Sequence, residues 1–132
     1  MIIGHGVDLA AVEPWAQALA HPSDAALRGV FTALEREQAA AGPVVEAERL
    51  AARFAAKEAL IKALDGARWG LPPLLGGVDL REIELRLDAW GRPRLCLTGA
   101  VAAAAAAAGV TAVQVSLSHE GGCALASVIL TG

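Results

Sequence analysis

Residues 53–64 read RFAAKEALIKAL, and the rest of the fold follows from how this stretch packs. It is rich in Ala, Leu, Lys and Glu and free of Gly and Pro, which predicts a helix. At about 100° per residue, Leu50, Phe54, Ile61 and Leu64 fall along one side, and Ala51, Ala52, Ala55, Ala56, Ala59 and Ala63 along the other. Both sides are packable. Between them runs a narrow strip holding Glu58, Lys62 and Asp65. On the helix alone, Glu58 and Lys62 make an ordinary i,i+4 pair on a solvated face, a matter of a few tenths of a kcal/mol. If both flanks are packed, the strip is a confined seam, and its charges call for a function.

The chain has 132 residues, enough for one domain spanning 1–132 that buries roughly two thirds of its unfolded surface. Hydrophobic content is 55%, much of it alanine. No apolar run reaches the roughly 18–20 residues of a membrane span, and MIIGHGVDL at the N-terminus lacks the basic region of a signal peptide. A cytoplasmic protein without a membrane partner is expected. Net charge is −3, which argues against strong non-specific binding to nucleic acid. Cys96 and Cys123 sit in apolar strand-like runs without metal-ligand spacing and read as reduced thiols.

Working outward from the helix, 2–9 (IIGHGVDL) reads as a buried strand and 12–20 as a short helix with Pro14 in its first turn. HPSD (21–24) is a break, 32–40 a short helix ended by AGP, and the long helix runs from about Val45 to Leu64 with Gly66 placed to stop it. GARWGLPPLLGG (66–77) is a Gly/Pro loop. Ile83, Leu85 and Leu87 alternate with Glu84, Arg86 and Asp88, a strand with one wet face, which returns through AWGRP as RLCLT (94–98). Residues 99–109 form an alanine helix stopped by Gly109, and 111–118 and 123–130 are strands joined at HEGG. The order β-α-α-α-β-β-α-β-β, dominated by hairpins, predicts an α+β fold: a mostly antiparallel sheet packed by one long and several short helices.

Three groups stand out chemically. Asp8 follows an apolar run and, if buried at a strand end, must be capped, paired or bound to a cation; capping the helix at 12–20 is the plainer option. Glu58 in the seam, with a second carboxylate, would suit Mg²⁺ completed by substrate phosphate and water. Lys62, one turn on, would then meet phosphate charge. His119, at the end of SLSHEGG, is the third; a lone histidine there is more often structural. No Ser-His-Asp or Walker-type pattern occurs.

The segments GHGVDL (4–9), FTALERE (31–37), RFAAKEALIKAL (53–64), GRPRLCLTG (91–99) and VSLSHEGGCALASV (115–128) together resemble the holo-acyl-carrier-protein synthases, the small phosphopantetheinyl transferases, in order along nearly the whole chain. The resemblance implies Mg²⁺-dependent transfer of 4′-phosphopantetheine from coenzyme A to a serine of an apo acyl carrier protein, of fatty-acid or polyketide type, leaving adenosine 3′,5′-bisphosphate. It implies that Asp8 and Glu58 hold Mg²⁺, that Arg53, Lys57 and Lys62 surround the phosphates, that His119 contacts the cofactor, and that Gly91 and Pro93 form a turn near the nucleotide. It implies a homotrimer with active sites between subunits, for which the alanine side of the long helix and the last two strands offer apolar surface. Glu58 or a metal-bound water would take the serine proton.

The chain departs from the family in its first helix, where Pro14 stands at the position of an arginine that grips acidic carriers, and no Lys or Arg precedes Arg28. Either the carrier is less acidic, with Trp15 supplying apolar contact, or the acceptor face has moved to Arg28, Arg36 and Arg49. The loop 66–77, with Trp69, is longer than usual. Two other classes compete: a non-catalytic module that binds coenzyme A or a carrier, and a small Mg²⁺-dependent phosphohydrolase. Intact Asp8, Glu58 and Lys62 weigh against the first, and the lack of a second carboxylate cluster weighs against the second.

Overall fold

The alternation of small and apolar residues in the first and last strands builds the platform on which the long helix lies. A computed structural model of the chain describes residues 1–21 and 23–132; Pro22, within the break expected at 21–24, lies outside the described residues. The elements are β1 (Ile2–Ala11), α1 (Glu13–Ala20), α2 (Ala25–Val30), α3 (Ala33–Ala39), α4 (Pro43–Gly66), a 3₁₀ turn (Leu80–Glu82), β2 (Ile83–Leu87), β3 (Pro93–Leu97), α5 (Gly99–Ala107), β4 (Ala112–Glu120) and β5 (Cys123–Thr131). β1, β5 and β4 form an antiparallel sheet in that order, and β2 and β3 form a separate antiparallel pair. The α+β arrangement expected from the hairpins is the one found, with the strands divided between two sheets.

Register explains the sheet's two faces. Asp8 pairs with Ala126, and Leu117 pairs with Ala126 from the other side. Ala124, Ala126, Val128 and Leu130 are fully buried on one face, with Gly4, Gly6 and Ala10 of β1 beside them. The opposite face leaves Val7, Leu9 and Leu125 exposed, at 45%, 65% and 40%. β4 and β5 join through Gly121 and Gly122, both at positive φ (59° and 78°), which is what a two-residue hairpin loop of matching twist requires.

Helix α4 is the centre of the molecule. Its alanines Ala51, Ala55, Ala59 and Ala63 have no exposed surface. The reason is β1: a Cβ on Gly6 would overlap the Ala59 carbonyl oxygen and lie 2.8 Å from the Ala63 nitrogen, and one on Gly4 would overlap the Ala63 carbonyl oxygen. Two glycines in the strand and alanines on the helix thus let the two backbones touch. On the other flank, Leu50 packs with Leu27, Phe31 and Ala39, and Trp15 meets the rings of Phe31 and Phe54 at 5.1 and 5.2 Å.

Four expectations are corrected. The alanine side of α4 is covered within the chain, so it offers no surface to another subunit. Helix α2 and the 3₁₀ turn were not expected; α2 is six residues long and is held by the burial of Leu27 and Phe31. α4 begins at Pro43, in the first turn where the missing N–H costs nothing. Gly66 is the last residue of α4 and not its stop signal; the cap is Ala67, in right-handed conformation.

Candidate active site

The close approach of β1 to α4 sets the site. Asp8 follows Gly4 and Gly6 at two-residue spacing and therefore faces α4 as they do. There it meets Lys62, whose ammonium donates to Asp8 Oδ1 at 2.8 Å and to the Val7 carbonyl at 3.1 Å. The Asp8 side chain is 16% exposed and that of Lys62 54%. Asp8 is thus inside β1 rather than at its end, and it does not cap α1, whose N-cap is Val12 without a side-chain bond. The capping alternative is excluded.

Glu58 lies one turn before Lys62 and is partly buried. Burial, and then the Asp8 carboxylate, raise its carboxyl above the ordinary value, with Lys62 opposing. Asp8, Leu9, Pro14, Trp15, Phe54 and Glu58 line an open groove of about 480 Å³. Its lining combines these two carboxylates with apolar side chains. Two carboxylates face a single lysine: burial first, and the Asp8 charge second, raise the Glu58 carboxyl, and Lys62 offsets them only in part. Oxygen donors with unbalanced negative charge fit a hard divalent cation such as Mg²⁺. Among the described residues, no three His, Cys, Asp or Glu side chains converge on one metal position, so the two carboxylates would need substrate phosphate and water to complete the shell.

The structure does not bring Lys57 to this groove. Its ammonium has no exposed surface and donates to Glu35 Oε1 (2.7 Å), the Leu80 carbonyl (2.8 Å) and the Ile83 carbonyl (2.6 Å). All three protons are used. Burial lowers its pKa, against the pull of Glu35. Glu35 in turn accepts from the Thr32 and Leu85 amides. The pair ties α3, α4 and β2 together. Glu35 was not singled out by sequence, although its place three residues after Thr32 is a capping-box signal, and the box is formed.

Arg53 is likewise 2% exposed. It donates to the Arg49 carbonyl at 3.1 Å, and its Nε and Nη2 have no partner among the described residues. It lies about 140° around the helix from Glu58. Both expected phosphate contacts therefore lie off the seam, for the same reason: their helix positions face the inner layer.

His119 stands 3.7 Å from Glu48, near the start of α4. Glu48 and Glu58 are about 15 Å apart along the helix axis, so one chain does not unite His119 with the seam. Gly91, at φ 79°, makes the hairpin turn between β2 and β3, and Pro93 lines a second groove there with Arg86, Arg92 and Arg94. Pro14 lines the Asp8–Glu58 groove. Of the alternative acceptor arginines, Arg28 is paired with Asp24 at 2.9 Å and Arg49 donates to the Ala40 carbonyl at 3.4 Å.

The sequence and the fold have close parallels. The 4′-phosphopantetheinyl transferase superfamily matches residues 4–124. A holo-[acyl-carrier-protein] synthase of Mycobacterium ulcerans is 43% identical over 129 residues, covering 98% of this chain and 96% of that protein. The structure of Mycobacterium tuberculosis acyl carrier protein synthase superposes with a TM-score of 0.78 at 40% identity, covering 99% of this chain and 98% of that one. The complex of the Chronobacterium ammoniagenes synthase with coenzyme A superposes with a TM-score of 0.80 at 39% identity over 96% and 95% of the two chains. The fold is shared over nearly the whole chain with synthases of known structure, and the chain belongs to the 4′-phosphopantetheinyl transferase superfamily.

Proposed function

We propose that the chain, acting as one domain over residues 1–132, transfers 4′-phosphopantetheine from coenzyme A to a serine of an apo acyl carrier protein through the Asp8–Glu58–Lys62 seam. The products are the holo carrier and adenosine 3′,5′-bisphosphate. The observation that carries the reading is the seam itself: two carboxylates lining an open groove, on touching backbones, with a lysine bonded to one of them.

The reaction forms a bond from the serine Oγ to the β-phosphorus and breaks the bond from that phosphorus to the bridging oxygen. It asks mostly for positioning and charge neutralisation. Asp8 and Glu58 would hold Mg²⁺ against the pyrophosphate. When bound, the ion offsets phosphate charge and polarises the phosphorus. Lys62 donates to a phosphate oxygen, its flexible stem letting it turn from Asp8. Glu58, its carboxyl raised above the ordinary value, accepts the serine proton directly or through one water. Pro14 and Trp15, which line the groove, receive the carrier by apolar contact in place of charge.

The nucleotide end is assigned to Gly91, Pro93 and His119. They lie away from the seam within one chain, which fits a homotrimer whose sites combine two subunits. The exposed sheet face with Val7, Leu9 and Leu125 supplies the apolar surface for that contact. Among the described residues no helix is long and apolar enough to cross a membrane; a cytoplasmic location belongs to the same proposal.

The test is the intact mass of apo fatty-acid and polyketide carriers after incubation with the protein, coenzyme A and Mg²⁺, with Asp8→Ala as control. A gain of one phosphopantetheine, lost in the control, is expected. No gain on any carrier refutes the activity.

A further inference from the structure

The face of the β1–β5–β4 sheet turned away from α4 carries an imidazole on a surface without fixed charge. Register sets three rows across it: His5, Ile129 and Gln114; Val7, Ser127 and Ser116; Leu9, Leu125 and Ser118. β1 and β5 supply mainly aliphatic side chains, and β4 an amide and hydroxyls. In a chain with 19% charged residues, none of these side chains is Asp, Glu, Lys or Arg. His5, Val7, Leu9 and Leu125 are exposed. His5 Nε2 lies 3.3 Å from Ser127 Oγ, where a neutral imidazole accepts the hydroxyl proton. No carboxylate stands beside it. The other ionisable groups on this side of the strands are Cys123 and Glu120 at the hairpin end, six residues away in register or about 20 Å. The Met1 ammonium is four residues off and bonded to the Gly132 carbonyl. Asp8, Glu58 and Lys62 belong to the α4 side, from which Lys62 reaches the Val7 carbonyl.

We propose that His5 makes the assembly of this chain acid-sensitive: further copies cover the face while the imidazole is neutral, and the imidazolium opens the contact. The inference rests on the reading above, in which each site combines two subunits. The occupant is a copy of the same chain because the face offers a charged partner nothing to pair with, whereas two such uncharged surfaces meet without desolvating an ion. Protonation changes that. Each copy then brings a positive charge into an apolar contact that holds no carboxylate, and an unpaired charge is the costliest thing such a contact can bury. Ser127 satisfies the neutral ring and supplies no counter-charge to the protonated one. Assembly therefore favours the proton-free form. It is complete above the range in which histidine ordinarily titrates and is lost as pH falls through that range. Because the proposed site needs two copies, activity is switched with it.

The test is sedimentation of the full chain over a concentration series at about pH 7.5 and about pH 5.5, with circular dichroism to show that it stays folded. The parent should give a three-chain mass at the higher pH and dissociate toward one chain at the lower, with association weakened about tenfold per chain. His5→Val should keep the three-chain mass at both. Carrier modification by the parent in acid should recover as protein concentration rises, a mass-action response that titration of a reacting group does not give. A parent whose association is undiminished at the lower pH overturns the acid switch and leaves the trimer standing. So does a His5→Val protein that dissociates in acid as the parent does. A one-chain mass at the higher pH refutes the trimer reading itself, and this inference with it.

Discussion

Replacing Lys57 by Met separates the two roles that a lysine in RFAAKEA can have. Lys57 and Glu35 are both without exposed surface and 2.7 Å apart. Methionine matches the aliphatic stem but leaves the Glu35 carboxylate buried with only the Thr32 and Leu85 amides, and strands the Leu80 and Ile83 carbonyls. Breaking a buried pair from one side costs about 3–5 kcal/mol. For a chain of 132 residues, that lowers the melting temperature by about 10–20 °C. Urea unfolding should show the loss with little change in m-value. Glu35→Gln alone should cost a comparable amount. The double variant should cost well under the sum, because neither charge is then left unpaired. Coenzyme A KM, measured below the melting transition, should stay within about threefold. A Lys57→Met protein that melts within about 3 °C of the parent while its coenzyme A KM rises tenfold or more would refute the structural role and return Lys57 to the phosphates.

Three further outcomes follow from the seam. Gly6→Ala drives a methyl into the Ala59 carbonyl, backbone against backbone, and should cost about 1–3 kcal/mol and lower kcat about a hundredfold by shifting α4 against Asp8, measured by unfolding and carrier modification. Glu58, whose pKa is raised in the fold, contributes stability that is present below its unfolded pKa and is lost as pH rises through the folded value; Glu58→Gln should flatten that pH dependence, and Mg²⁺ affinity by calorimetry should fall as pH drops through the same window. Leu9→Lys on the open sheet face should yield a species of one-chain mass by sedimentation where the parent gives three chains; an unchanged mass would place the subunit contact elsewhere.

Much of this was legible in the chain. Period-two alternation located β2, and glycine pairs and hydrophobic runs located β4 and β5, because each strand has one face that must be covered. The seam was legible because α4 has two packable flanks, and both are packed. Helix α2 was not, since AALRGV is too short and carries Gly29, and only the burial of Leu27 and Phe31 holds it. The fate of Lys57 was also hidden. In an alanine-rich helix a lysine reads as a solvated charge, and its partner lies 22 residues earlier, a contact that no local pattern encodes. The burial of Arg53 was hidden as well, since nothing local marks its position as an inner one.

The burial of Lys57 also shows how the seam is held in place. Alanines against glycines make a smooth interface, along which a helix has little to stop it rotating or sliding. Lys57 is the residue before Glu58, about 100° around the helix. Its ammonium is fixed by Glu35 and two carbonyls from three separate points of the inner layer. A rotation of α4 that carried Glu58 away from Asp8 would have to pull those three bonds apart. The glycine strand sets how near Glu58 and Lys62 come to Asp8, and the buried pair sets at what angle. On this account the Lys57→Met variant, assayed while still folded, should lose more in kcat than in KM, because the pair aims the reacting groups and touches no substrate.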